Sequence, residues 1–222
     1  MTKLMKLSPC DFVGELLLAV NILRRGGVVA FPTDTVYGIA TLAQDTRAVN
    51  KLYNVKGRDF VKPVAICVGQ VADISKWAKI TVSRKLLDDL LPGPVTIVLE
   101  RTPLLNPQLN PKSALVGVRV PDDMFARQLA QECGEPLALT SANLSNEASS
   151  NSVEEFQCLW PKLDLIIDGG PISVGEDSRQ GSTVIDLSHE GFFKIIRNGT
   201  DRSYRSTVEV LVEKYSLQEL VK

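Results

Sequence analysis

The sequence predicts an α/β domain on a twisted, mixed parallel and antiparallel sheet flanked by helices. Three observations predict it. Apolar residues recur at helical spacing in some windows and fall in short β-branched runs in others, and the two kinds alternate irregularly. No internal repeat or linker-like shift divides the 222 residues, so a single domain, 1–222 with its core at about 12–215, is expected. At 44% hydrophobic and 23% charged, the composition is that of an ordinary globular protein.

Ser8-Pro9-Cys10-Asp11 reads as a helix start with Ser as cap, and Phe12, Leu16, Val20 and Leu23 continue it to Gly26-Gly27. Val28–Phe31 is a short buried strand running into a polar loop, Pro32 to Gly38. A second helix covers about Thr46–Asn54, with Val49, Leu52 and Tyr53 on one side, followed by a strand at Val64–Val68. A helix at Ser83–Leu90 ends at Pro92-Gly93-Pro94, which launches the strand Val95–Leu99. Residues 102–114 hold three Pro and two Asn and form the clearest irregular loop. Leu115–Val120 is a strand, Asp122 caps a helix to about Cys133, and Pro136–Thr140 is a strand ending at Ser141-Ala142-Asn143. Val153–Leu159 is a short helix. Leu165–Asp168, Thr183–Leu187 and Phe193–Ile196 are strands, and Ser206–Tyr215 is a closing helix. Such irregular order favours a mixed sheet over a doubly wound parallel one.

Several chemistries are disfavoured. The 25 Lys+Arg against 26 Asp+Glu exclude a globally basic nucleic-acid coat, though not a local patch. The single histidine, His189, argues against His-rich metal sites. Cys10, Cys67, Cys133 and Cys158 are widely spaced with no C-x-x-C, which reads as free thiols in a reducing compartment. No P-loop, G-x-G-x-x-G or G-x-S-x-G motif is present. No apolar run approaches the ~18 residues of a membrane span. A cytoplasmic location is expected, and a mitochondrial pool would need a presequence outside this sequence.

The positive signals are polar segments at strand ends, where α/β sheets place ligands. Residues 47–62 carry five bases and one acid, including Lys56-Gly57-Arg58 and Lys62. They read either as a solvated helix end or as an anion clamp in which Gly57 admits a phosphate to the backbone. Thr140–Ser145 is either a capped turn or a ligand loop. In Thr33-Asp34-Thr35 the Asp is either a turn former or functional. Arg119 sits in an otherwise apolar strand and needs a carboxylate, from the protein or from a ligand. Gly181-Ser182-Thr183 opens a strand, and Arg197 closes one. Arginines at three separate sheet edges point to an anionic ligand with more than one charge.

In order along nearly the whole chain, Phe31–Gly38 (FPTDTVYG), Lys56–Arg58, Lys62-Pro63, Pro92–Val98 (PGPVTIV), Val116–Asp122 (VGVRVPD), Pro136–Ser145 (PLALTSANLS), Gly181–Asp186 (GSTVID) and Ile195–Gly199 resemble the YrdC-type threonylcarbamoyl-AMP synthases, most closely their animal members. The family's K-x-R…S-x-N signature falls on Lys56, Arg58, Ser141 and Asn143. The resemblance implies a YrdC-like fold with a concave basic surface. It also implies condensation of L-threonine, bicarbonate and ATP to L-threonylcarbamoyl-AMP and pyrophosphate, the first step of tRNA t6A modification. By the same resemblance Lys56, Arg58, Lys62, Ser141, Asn143, Ser149 and Arg197 would line the ATP site, with Lys56 and Arg58 catalytic. Thr35, Arg119 and Ser182 would hold threonine, with Cys67 and Leu139 near it. Mg²⁺ would arrive mainly with ATP, not on protein ligands. Binding of tRNA or double-stranded RNA and hand-off to a t6A transferase complex would follow.

The sequence departs from the family at Asn146 and Asn198, where many members have Gly and Pro. Both lie in turns, and Asn tolerates left-handed geometry, so altered loop stiffness is expected. The extra C-terminal domain of the longer family branch is not in this sequence, so closure over the nucleotide is expected from its own loops or a partner. A non-catalytic RNA-binding module is the alternative. A relative making another carbamoyl adenylate, as in hydrogenase maturation, would carry zinc-finger cysteines that this sequence lacks.

Overall fold

The computed structural model describes residues 2–57, 63–172 and 179–220. In chain order the elements are β1 (Lys3–Lys6), α1 (Phe12–Arg24), β2 (Val29–Phe31), β3 (Gly38–Leu42), α2 (Thr46–Lys56), β4 (Ala65–Cys67), α3 (Ile74–Trp77), α4 (Arg84–Leu90), β5 (Val95–Glu100) and β6 (Leu115–Arg119). Then follow α5 (Met124–Cys133), β7 (Leu137–Ser141), a 3₁₀ stretch (Val153–Lys162), β8 (Leu165–Asp168), β9 (Thr183–Asp186), β10 (Phe192–Arg197), α6 (Asp201–Glu209) and β11 (Gln218–Glu219). Among the described residues no helix is long and apolar enough to cross a membrane.

All the strands join one sheet in the order β1-β8-β2-β3-β7-β4-β6-β5-β9-β10-β11. The sheet is mixed, as expected. β1/β8, β2/β8, β4/β6, β5/β9 and β10/β11 are parallel, and the remaining neighbours are antiparallel. The edge strands β1 and β11 carry the sheet past the expected core limits of 12 and 215.

Strand alternation sorts the core into two faces. Ile39, Ile66, Ile97, Val118 and Ile185 point to one side, where α2, α3, α4 and the 3₁₀ stretch bury Leu52, Ile74, Leu87 and Phe156 against them. Phe31, Ala40, Leu137 and Ile167 point to the other, under Leu16, Leu23, Phe125 and Leu129 of α1 and α5. Phe12 and Phe125 meet edge to face at 5.8 Å. α1 and α5 cover that second face over β8, β2, β3, β7 and β4. The rest of it, towards β9 and β10, is where the cavity described below opens.

The caps differ from expectation in informative ways. Asp11, not Ser8, stands before α1, and the Ser8 amide instead donates to the Glu15 carboxylate at 3.1 Å. Asp123, not Asp122, caps α5 by accepting from the Ala126 amide at 2.7 Å. The Asp122 amide is engaged elsewhere, on Asp34. α2 runs two residues further than expected and stops at Gly57, whose φ of 57° is left-handed. That extension places Lys56 on the helix. α6 starts at Asp201, five residues earlier than expected, because Thr200 accepts from the Ser203 amide. β3 was not anticipated, because Gly38 and Thr41 interrupt its apolar alternation, yet it is a fully buried central strand.

Candidate active site

A cavity of about 380 Å³ opens on the sheet face left uncovered by α1 and α5. Its floor is low because the side chains there are small: Gly38, Ala65, Thr96, Gly117 and Val184 all line it. Gly38 and Gly117 both leave no room for a side chain. A Cβ at Gly117 would come within 2.9 Å of Thr96 Cγ2. Its rim is supplied by loops that follow the strands.

Arg119, the last residue of β6, is held at the cavity by a partner 85 residues away. Its Nη2 donates to Asp34 Oδ1 at 2.7 Å and to Thr35 Oγ1 at 3.1 Å. The two charged side chains are only 9% and 8% exposed, so the ion pair is shielded from water. Asp34 Oδ2 accepts from the Asp122 amide at 3.1 Å, which fixes the carboxylate from a second side. Asp34 is therefore the structural carboxylate that Arg119 required, not a local turn former. Among the described residues Arg119 Nε is buried without a hydrogen-bond partner. A buried donor without a partner calls for an explanation.

Arg197 closes β10 and also lines the cavity. Its Nη2 donates to the Ser182 carbonyl at 2.9 Å and to Ser182 Oγ at 3.1 Å. Ser182 Oγ in turn shares a proton with Thr96 Oγ1 at 2.7 Å. Thr96 pairs with Val184 across β5 and β9, and Val184 pairs with Arg197 across β9 and β10. Arg119 and Arg197 thus stand three strand spacings apart, about 14 Å between backbones. Two fixed guanidiniums with a hydroxyl-lined floor between them suit a ligand with two separate anionic ends.

Three residues of the Lys56-centred signature, Lys56, Ser141 and Asn143, come together. Lys56 is 2% exposed. Its ammonium donates to the Ser141 carbonyl at 2.7 Å, to the Asn143 carbonyl, and to Asn143 Oδ1 at 3.3 Å. Asn143 Nδ2 donates to the Leu144 and Glu147 carbonyls at 2.7 and 2.8 Å. Lys56 and Asn143 are thus tied into the loop after β7, and among the described residues neither lines the cavity. Ser141 and Ser149 of the same region do reach the cavity. Arg58 and Lys62 lie outside the described residues. Asn146 takes φ 73°, the left-handed geometry expected of it.

On the threonine side of the expectation, Leu139 lines the cavity and Thr35 touches Arg119, while Ser182 also lines it but bonds Arg197 and so stands at the Arg197 end. Cys67 is the register partner of Arg119 but is buried in the α1/α5 core, not the cavity wall. Burial pushes its thiol up to about 12, with Arg119 opposing, so it stays a neutral apolar neighbour. Among the described residues no group of three or more His, Cys, Asp or Glu side chains is gathered as a metal site.

Sequence reasoning missed three contributors. Asp34 was assigned no partner, because nothing local signals a pairing across 85 residues. The roles of Thr96 and Gly117 went unread. A hydroxyl in the run Val95–Leu99 and a glycine inside Leu115–Val120 were the available signals.

The sequence profile of the Sua5/YciO/YrdC family, described as "Telomere recombination", matches residues 21–199. Threonylcarbamoyl-AMP synthase of Mus musculus is 54% identical over 204 residues, 91% of this chain and 72% of that protein. The Bacillus subtilis protein of the same name is 35% identical, over 78% of this chain and 51% of its own length. The crystal structure of P. abyssi Sua5 complexed with L-threonine superposes with a TM-score of 0.78 at 30% identity, covering 90% of this chain and 57% of that one. E. coli YciO superposes with a TM-score of 0.76 at 25% identity, covering 90% and 95%. The chain belongs to the Sua5/YciO/YrdC family.

Proposed function

We propose that this chain is a threonylcarbamoyl-AMP synthase, condensing L-threonine, bicarbonate and ATP into L-threonylcarbamoyl-AMP and pyrophosphate. The observation that carries the reading is the cavity with Arg119 and Arg197 fixed at separate strand ends. Arg119, braced by Asp34, takes the threonine carboxylate, with Thr35 and Leu139 beside it. Arg197, Ser141 and Ser149 take the phosphates of ATP, together with Arg58 and Lys62 by their resemblance to the family.

The threonine amine and bicarbonate form a carbamate with loss of water. A carbamate oxygen then attacks the α-phosphorus, and the bond to the pyrophosphate oxygen breaks. Two anions must meet, so positioning and charge neutralisation supply the catalysis. Once the carbamate has formed, its oxygen needs no histidine to activate it. Mg²⁺ enters with the triphosphate and supplies further neutralising charge. It is not expected on Asp34, whose oxygens already face Arg119 and the Asp122 amide. Lys56 acts as a positioning residue beneath the Ser141–Asn143 loop. The mixed anhydride product is labile and passes to a transferase acting on tRNA.

Incubation with ATP, Mg²⁺, bicarbonate and threonine tests the reading. Pyrophosphate release is expected only when threonine is present, with the mass of the threonylcarbamoyl adenylate. RNA binding without threonine-dependent release would favour the non-catalytic module instead.

A further inference from the structure

The wall of the cavity that carries Ser149 is a loop between β7 and the 3₁₀ stretch. Residues 147–152 are polar and irregular, yet Ser149 must be held for its place in the site to mean anything. Hydrogen bonds tie the segment to its neighbours: Ser150 Oγ donates to the Ala142 carbonyl at 2.7 Å, the Tyr37 amide to the Ser150 carbonyl at 2.8 Å, Asn143 Nδ2 to the Glu147 carbonyl at 2.8 Å and the Ile172 amide to the Asn151 carbonyl at 3.0 Å. A further tie comes from Arg179, on the stretch that leads into β9. Arg179 grips Glu155 with both terminal nitrogens, at 2.7 and 2.8 Å, and its Nη1 also donates to the Ser149 carbonyl at 3.1 Å. Glu155 Oε2 accepts from the Asn151 amide at 2.9 Å as well. Two residues beyond Arg179 the chain enters the opposite wall at Gly181 and Ser182.

We propose that the Arg179–Glu155 pair is a positioning clasp joining the Ser149 wall to the Gly181–Ser182 wall and setting the width of the ATP end of the cavity. Three features support it. The pairing is bidentate, the geometry in which arginine and carboxylate specify orientation as well as distance. Arg179 holds the Glu155 carboxyl below its usual range. The side chains are 42% and 32% exposed, so solvent screens the pair and it adds little to global stability. Neither residue touches substrate in this assignment.

The clasp rests on the proposed function only through the identity of the ligand, and its test separates the two. Arg179→Met removes the clasp, and Arg179→Lys keeps the charge with a single contact. In the threonine-dependent pyrophosphate assay, Arg179→Met and Glu155→Gln are expected to raise the ATP KM about fivefold, leaving the threonine KM within about twofold. Arg179→Lys is expected to fall between Arg179→Met and the parent. Equilibrium binding of ATP to each variant gives the same ranking without turnover, so a parent chain that binds ATP but makes no product overturns the function and not the clasp. An unchanged ATP KM and ATP affinity in both Arg179→Met and Glu155→Gln overturns the clasp. So does an equal rise in both substrates' KM values, which would mean general loosening.

Discussion

Asp34 Oδ1 lies 2.7 Å from Arg119 Nη2, joining the loop after β2 to the end of β6. The contact anchors a guanidinium whose Nε remains unpartnered among the described residues. Nη2 is committed to the protein, and the same side chain lines the cavity.

Asp34→Asn keeps the shape of that contact and removes its charge. Loss of a charge-assisted hydrogen bond costs about 1.5–3 kcal/mol, so the threonine KM should rise by about tenfold or more. Arg119→Ala should raise it further, with the ATP KM little changed. Steady-state kinetics with each substrate varied in turn checks this. An unchanged threonine KM in both variants would make the pair purely structural.

Lys56 and Arg197 should separate stability from turnover. Lys56→Met leaves the Ser141 and Asn143 carbonyls without their buried donor, which costs about 2–4 kcal/mol in folding. Arg197 is exposed, so Arg197→Ala should leave the unfolding midpoint nearly unchanged while lowering kcat/KM for ATP. Denaturant unfolding and kinetics on both variants give the comparison.

Much of this was legible in the sequence, and what was not has physical reasons. Strand ends at Ser141, Ser182 and Arg197 were visible because turn residues follow apolar runs. The placement of Lys56 was not. Its burial depends on α2 continuing two residues beyond the expected stop, which brings the ammonium under a loop 85 residues later in sequence. Asp34 was ambiguous for the same reason, since its partner is set by strand order and not by spacing. β3 was lost because Gly38 keeps the floor low where a larger residue would have revealed a strand. A Cβ there would meet Leu139 Cδ1 at 2.6 Å.

Gly117 is the position where shape alone should matter. Gly117→Ala places a methyl within 2.9 Å of Thr96 Cγ2, and Thr96 braces Ser182 and through it Arg197. Overpacking of this kind costs about 1–3 kcal/mol, so kcat/KM should fall by about tenfold with the fold retained. Gly117→Val should be worse. Wild-type kinetics in Gly117→Ala would show that the floor can yield.

The thiols offer a prediction with a definite sign. Cys10 and Cys158 are exposed, while Cys67 and Cys133 are buried, with burial pushing each buried thiol from 9.0 to about 12. A raised folded value means that the folded chain holds these protons more tightly than the unfolded chain does. Their contribution to stability is therefore complete below the ordinary thiol range and is lost as pH rises from 9.0 towards 12. A disulfide reagent at pH 8 should label Cys10 and Cys158 quickly, and the other two only on unfolding. Rapid labelling of Cys67 in the folded chain would contradict its placement.

The most direct test of the function follows one carbon atom. With ¹³C-bicarbonate, ATP, Mg²⁺ and threonine, the adenylate product should carry the label in its carbamoyl carbon, with one pyrophosphate released per labelled product. Pyrophosphate released without threonine, or an adenylate that never acquires the label, would contradict the account.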